Sequence, residues 1–435
     1  MNEHPAGGTT GHEPGTGSGW HSPVPADHPA SALLSGAAVR SHCAAVTDFV
    51  ASGESELFTW HPDRVHAIAD YVAATIRRRY PDLQVPYHSR WRHFESGGPG
   101  QEAINRWQIL CERAGMSGAD HCADRARIGI DLVIPSVLLD AGAGPDWRYR
   151  DPASDMMLTR SEGLGVASFD LFARGGFSAE SGDPLRADAE RLARIDASTI
   201  ATAFQVAQHN PLVGLEGRAG LLRRLGEVMQ ATPAVFGTPA RLGNLFDYLS
   251  AHATNNQIEA GFVLRTLLVA LGPVWPGRVQ IDGVSLGDCW RHPAAPGGLV
   301  PFHKLTQWLT YSLLEPLEDG GLTVVGLDAL TGLPEYRNGG LLYDFELTVP
   351  RDPEFASRTH TVDEPEIVEW RALTVTGLDL VADAVRQALG LKEADFPLAR
   401  VLEGGTWAAG RRIAAQRRAP GGPPPFAIQS DGTVF

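Results

Sequence analysis

Lysine is almost absent from this chain of 435 residues: Lys304 and Lys392 are the only two, and arginine supplies the remaining strong cations. Planar guanidinium groups bind phosphate and carboxylate through two parallel hydrogen bonds, so this usage is compatible with small anionic ligands. A basic surplus is missing as well, with a net charge of −14. Nucleic-acid binding needs a basic face, and this balance argues against such a partner. Cysteine is scarce: Cys43, Cys111, Cys122 and Cys289 show no C-x-x-C spacing. That argues against a disulfide framework or a zinc ribbon and predicts a reduced, cytoplasmic setting. No apolar run approaches the roughly 20 residues of a membrane helix. The N-terminus shows neither the charged nor the apolar segment of a signal peptide. The expectation is a cytoplasmic protein that engages neither membrane nor nucleic acid.

What is present is an ordinary globular composition, 43% hydrophobic and 20% charged, in a chain long enough to bury a large core. Residues 1–29 hold Gly, Pro, Ser, Thr and His without an apolar period, which predicts a disordered tail. Residues 30–435 are expected to form one large unit. Its pattern is helical from the start: Ala32, Leu33, Val39, Cys43, Val46 and Phe49 recur every three or four residues. After Trp60-His61-Pro62, Val65, Ile68, Ala69, Val72 and Ile76 do the same. Further helical periods run through 101–140, 184–230, 239–251, 256–271, 301–315, 366–389 and 397–412, with a short strand expected over 279–281. No internal repeat is visible. The predicted fold class is mainly α: a large helical globular protein with a few short strands.

Five stretches carry unusual polar content. Gly332-Leu333-Pro334-Glu335-Tyr336-Arg337-Asn338-Gly339-Gly340 joins an acid, an arginine and a tyrosine to residues of special backbone freedom, and Asp344 follows. Pro334 favours an extended Leu333, so Glu335 is expected to open a new element, while Gly339-Gly340 suits a sharp turn or close approach to a ligand. Tyr87 to Glu95 holds His88, Arg90, Trp91, Arg92, His93 and Glu95; the arginines suit an anion, and His93 or Glu95 suits acid/base work. Asp140 precedes a Gly-x-Gly turn that lacks the third glycine of a dinucleotide loop. Arg160-Ser161-Glu162 opens a helix, with Ser161 as the expected cap. Asp282, Asp288 and His292 would suit a hard metal, but they lack the repeat of a calcium loop. There is no nucleophile elbow, P-loop or H-E-x-x-H motif.

Six blocks resemble one family in order: VPYHSRWRHFESGG (85–98), IPSVLLDAGAGPDWRY (134–149), RSEGLGVASFDLF (160–172), NPLVGLEGRAGLLRRLG (210–226), LTGLPEYRNGGLLYD (330–344) and LEGGTWAAGR (402–411). They look like the uracil-catabolism family written URC-four/urg-three, formerly a domain of unknown function. The resemblance implies a place in the ring-opening route from uracil to urea, alongside a cyclohydrolase-like enzyme with which functional association is expected. Glu335-Tyr336-Arg337 is also similar to the Asp-Tyr-Arg block of the helical queuosine-nucleotide N-glycosidases. Such a route must cut the bond between ribose and its urea fragment. That step passes through an oxocarbenium-like transition state, which needs a carboxylate near the anomeric carbon and a proton donor near the departing nitrogen. The expected catalytic residues are Glu335, Asp344 and His93. His88, Arg90, Trp91, Glu95, Asp140, Arg160, Glu162, Tyr336 and Arg337 are expected to bind substrate. No cofactor is called for, and metal dependence is left open. The alternatives are a metal-assisted amidohydrolase or deaminase acting on the opened ring, and a non-catalytic partner or sensor.

Overall fold

Ser35 accepts a hydrogen bond from the amide of Ala38 at 3.1 Å and so caps helix α1, Gly36–Ala51. Val39, Cys43, Val46 and Val50 form its buried stripe. Helix α2, Val65–Arg79, follows the Pro62 turn, buries Ile68, Val72 and Ile76, and ends on Arg77-Arg78-Arg79. Cations at that end offset the negative pole of the helix. The structure is a computed structural model that describes residues 24–95, 103–275, 278–418 and 421–429. Of the expected tail, residues 1–23 lie outside the described residues. Val24 is buried, and its carbonyl accepts from Arg265 at 3.4 Å.

The period through 101–140 resolves into Arg106–Arg113 and helix α3, Cys122–Leu138. Gly115, at φ +71°, breaks it by providing the left-handed residue that closes the first helix. Helix α4 spans Arg160–Ala173. The period at 301–315 begins later than expected, because Leu299–Pro301 is a strand paired with Cys289–Arg291; helix α5 runs Lys304–Asp319. Helix α6 is Tyr336–Asp344, and helix α7, Pro365–Leu389, is the longest at 25 residues. The last helical period carries a π turn, Leu402–Thr406, between Leu398–Val401 and helix α8, Trp407–Arg417. Its glycines let α2 come close: a Cβ on Gly405 would lie 2.4 Å from Cγ1 of Val72.

The fold is mainly α, as the periodicity predicts. Helix α7 packs against α1, α2 and α6, while α5 lies along α3 and α6 lies against α8. Trp370, Leu373, Leu378, Val381 and Val385 of α7 are buried, as are Leu309, Leu313, Leu314 and Leu317 of α5. Each such aliphatic side chain contributes about 1.5–3 kcal/mol by leaving water. Among the described residues, strands pair only in twos. Phe58–Trp60 runs antiparallel to Thr348–Pro350, and Gln257–Glu259 runs parallel to Thr323–Val325. The expected strand over 279–281 is a two-residue hairpin arm, Gln280–Ile281 against Val284–Ser285.

Candidate active site

Residues Arg90–His93 form a single 3₁₀ turn, and that turn divides the Tyr87–Glu95 segment between two faces. Arg90 and His93 point inward and are buried. Trp91 packs in the core with its indole N–H donating to the Ser312 carbonyl at 2.9 Å. Arg92 pairs with Glu315 at 2.7 Å and with Glu95 at 3.4 Å. Trp91, Arg92 and Glu95 line a different groove of about 470 Å³, together with Trp107 and Asp319. The inward face is the one that meets the other polar stretches.

Arg90 is fully buried. Its Nε donates to the Ser136 hydroxyl at 2.7 Å, and Nη1 lies 2.9 Å from Oδ1 of Asp140. Nη2 has no hydrogen-bond partner. Burial pulls the guanidinium pKa down, and Asp140 opposes that shift. Burial likewise raises the Asp140 carboxyl against the pull of Arg90. The other Asp140 oxygen accepts from the Ser161 hydroxyl at 3.1 Å. Ser161 therefore anchors Asp140 rather than capping α4; Thr159 is the residue at the cap position. Arg218 wraps the same loop, donating to the carbonyls of Leu139 (3.2 Å), Ala141 (2.6 Å) and Gly142 (3.2 Å). Arg90 is thus neutralised by Asp140, and its surroundings suit an uncharged polar group better than a phosphate.

Glu335 is the N-cap of α6. Its two oxygens accept from the amides of Arg337 at 2.7 Å and Asn338 at 2.6 Å. Burial raises its pKa, while those amides and the Lys304 ammonium hold it down. Lys304 is the first residue of α5, and its backbone amide donates to Asp288 at 3.0 Å. Arg371 grips both oxygens of that aspartate, at 2.9 and 2.8 Å, and reaches the Pro334 carbonyl at 3.4 Å. The Asp288–Arg371 pair therefore ties the start of α5 to the start of α6. The Lys304 ammonium is drawn below its ordinary pKa by burial, with Arg371 acting in the same sense and Glu335, Asp140 and Asp288 opposing. Lys304 and Tyr336 are heavily desolvated yet keep some accessible surface. The partly accessible polar surface that they form with Glu335 at the starts of α5 and α6 is the candidate recess.

His93 lies beside it. Its ring meets Trp308 edge-on at 6.1 Å and Trp407 at 6.4 Å. Burial first, then Arg90, keeps the imidazole uncharged. Nδ1 has no partner. Gly165 leaves the needed room, since a Cβ there would sit 2.8 Å from the Cβ of His93. At the rim, Glu162 pairs with Arg411 at 2.7 Å, and Arg411 lies over Trp407. Arg160 is exposed. Arg160 and His303 take left-handed backbone angles, φ +53° and +50°, at or just before the starts of α4 and α5. Strain of this kind in non-glycine residues tends to gather at functional sites.

A model for a protein of unknown function (DUF1688) matches residues 32–435. The chain belongs to this family. Similar relatives are "Uracil catabolism protein 4" of Lachancea kluyveri and "Protein urg3" of Schizosaccharomyces pombe. The first is 36% identical, covering 94% of this chain and 99% of the relative; the second is 37% identical, covering 93% and 98%. The resemblance seen in the six blocks thus extends over nearly the whole chain, and every recess residue falls inside the family match.

The structure brings together Arg90, His93, Asp140, Glu335 and Tyr336, with Arg160 and Glu162 toward the rim. Other expected site residues go elsewhere. His88 donates from Nδ1 to the Glu403 carboxylate of the π turn at 2.9 Å. Asp344 closes the far end of α6, about 12 Å of helix rise from Tyr336, where Arg418 grips both its oxygens. Arg337 donates to the Gly422 carbonyl at 2.8 Å and turns from the recess toward the C-terminal loop. Gly339-Gly340 is helical rather than a turn: a Cβ on Gly339 would lie 2.5 Å from the Trp370 ring, so the close approach is to the core. Asp282 is exposed, Asp288 is taken by Arg371, and His292 contacts Glu369 at 3.2 Å. Among the described residues, no three His, Cys, Asp or Glu side chains come together in a metal-binding group. Lys304, Trp308 and Trp407 are recess residues absent from the sequence expectation. The rarity of lysine was the available signal for the first, and the LEGGTWAAGR block for the last.

Proposed function

We propose that the chain acts in uracil catabolism by the ring-opening route and hydrolyses the N-glycosidic bond of a ribosylurea-type intermediate, releasing urea and a ribose or ribose phosphate. The similarity to "Uracil catabolism protein 4" supports a role in uracil catabolism. The observation that carries the reaction is the recess between the starts of α5 and α6, where Glu335 and Asp140 both act on Lys304 and uncharged His93 lies alongside Arg90. An oxocarbenium-like transition state gathers positive charge at the anomeric carbon. Glu335, fixed by two backbone amides, supplies a negative charge that needs no reorganisation as that cation forms. His93, with a free ring nitrogen, takes the proton from the attacking water. The Arg90–Asp140 pair offers donors and an acceptor to the uncharged urea fragment, and Arg160 at the rim is placed for an anionic group on the sugar.

The test is release of urea from synthetic N-ribosylurea and its 5-phosphate by the purified chain. Glu335→Gln should lower the rate about 10²–10⁴-fold. Asp344→Asn, at the far end of α6, should leave KM unchanged and alter the rate only as far as it lowers the folded fraction. Wild-type turnover in the Glu335 variant removes that residue from the chemistry.

A further inference from the structure

The recess holds one of the two lysines in a chain that contains 35 arginines, 37 basic residues less the two lysines. Arginine serves elsewhere in the buried ion pairs: Arg90 with Asp140, Arg106 with Asp151, and Arg371 with Asp288. A guanidinium stays protonated in a protein and cannot act as a nucleophile, whereas an amine can lose its proton and attack carbon. The second lysine, Lys392, is exposed.

The geometry around Lys304 suits the amine form. Its Nζ makes no hydrogen bond or ion pair with any described residue, although Glu335, Asp140, Asp288 and Arg371 all influence it electrostatically. Its backbone, in contrast, is rigidly held by Asp288, itself gripped by Arg371, and by the left-handed His303. His303 is buried and bonds the Leu33 carbonyl at 2.8 Å. The result is a fixed backbone carrying an uncommitted amine, at a helix start that the Asp288–Arg371 clamp ties to Pro334, the residue before Glu335. Purely electrostatic contact with an anion would be served as well by arginine, which this chain uses almost everywhere else.

We infer that Lys304 is the nucleophile of the reaction and forms a covalent imine with C1 of the sugar, a role that rests on the glycosidic cleavage proposed above. The Lys304 ammonium gives a proton to Glu335, and Nζ attacks C1. The C1–N bond to the urea fragment breaks, and Glu335 passes the same proton to the departing nitrogen, so urea leaves neutral. One of the two protons left on Nζ moves to the ring oxygen as the C1–O bond opens, leaving a protonated imine between Lys304 and the open-chain sugar. Water, deprotonated by His93, adds to C1. His93 returns its proton to Nζ, the C1–N bond breaks, and the C1 hydroxyl proton passes to the departing amine, which restores the ammonium as the aldehyde sugar is released. No oxidant or reductant enters, and the sum is ribosylurea plus water giving urea plus aldose.

Reductive trapping tests this on the full chain. N-ribosylurea is incubated with the protein and cyanoborohydride, and the digested product is mapped by peptide mass spectrometry, with Lys392 as the internal control for non-specific glycation. The expected result is a reduced sugar adduct on Lys304, none on Lys392, and loss of urea release in step with the adduct. Lys304→Arg should abolish the adduct and lower urea release by about 10²-fold or more while binding of ribose 5-phosphate persists. Urea release without an adduct, with Lys304→Arg at wild-type rate, overturns the nucleophile and leaves the glycosidic cleavage standing. No urea from ribosylurea removes the glycosidic cleavage and with it the nucleophile role, even if ribose 5-phosphate leaves an adduct confined to Lys304. The wild-type trapping result decides the matter even if the variant folds poorly.

Discussion

Arg90 and Asp140 are each nearly sealed from solvent, and each needs the other's charge. Removing one partner of a buried pair leaves an uncompensated charge, at a cost of about 3–5 kcal/mol. Asp140→Ala should therefore lower the guanidinium unfolding free energy by that amount, and Asp140→Asn by less, because the amide still accepts from Ser161. His93 makes a separate prediction. Its folded-state pKa lies below the ordinary 6.5, because burial and then Arg90 disfavour the cation. The unfolded state therefore binds more protons, and stability is full above about pH 6.5 and falls as the pH drops toward the folded value. Unfolding free energy measured against pH should fall more steeply below 6.5 in the wild type than in His93→Asn; parallel slopes would contradict this. At this scale the sequence marks Arg90, His93, Asp140 and Glu335, because each stands in a locally unusual polar run. Lys304 is marked only by its rarity, since its neighbours Phe302, His303 and Leu305 carry no motif and its surroundings come from residues on other elements.

Elements were legible where one face alone is buried. The stripes of α1 and α2 repeat every three or four residues, and α7 begins within one residue of the expected position. Misreadings fall where glycine or a tight turn overrides the pattern. Gly115 splits one expected helix, and the turn at Arg90–His93 sends Arg90 inward and Arg92 outward from positions two apart. Gly339-Gly340 looks like a flexible loop in sequence, yet packs in α6 against Trp370, whose ring is 1% exposed and cannot yield. Gly339→Ala should gain helix propensity but lose more to overpacking, a net destabilisation of about 1–2 kcal/mol readable in guanidinium unfolding. The π turn around Glu403 could not be read from the sequence, because one i→i+5 turn of five residues is too short to show as a change of hydrophobic period. Turns of this kind often occur near functional sites, and this one delivers Glu403 to His88 and Trp407 to the His93 ring.

At the scale of the molecule, the recess is assembled largely from ends: Asp140, two residues past the C-terminus of α3, the starts of α4, α5 and α6, and the Arg90–His93 turn. Three of these carry the positive pole of a helix toward the site, which favours the carboxylates gathered there. The mainly α class follows from periodicity, but this convergence does not, because it depends on which helices pack side by side. The Asp288–Arg371 clamp, joining residues from two distant segments to the starts of α5 and α6, has no local signature at all. The most direct measurement for the account is a single-turnover assay of urea released from N-ribosylurea by the wild-type chain and by Glu335→Gln. The account predicts stoichiometric urea from the wild type and a rate about 10²–10⁴-fold lower in the variant. No urea from a folded wild-type chain, or equal rates from the two proteins, would contradict it.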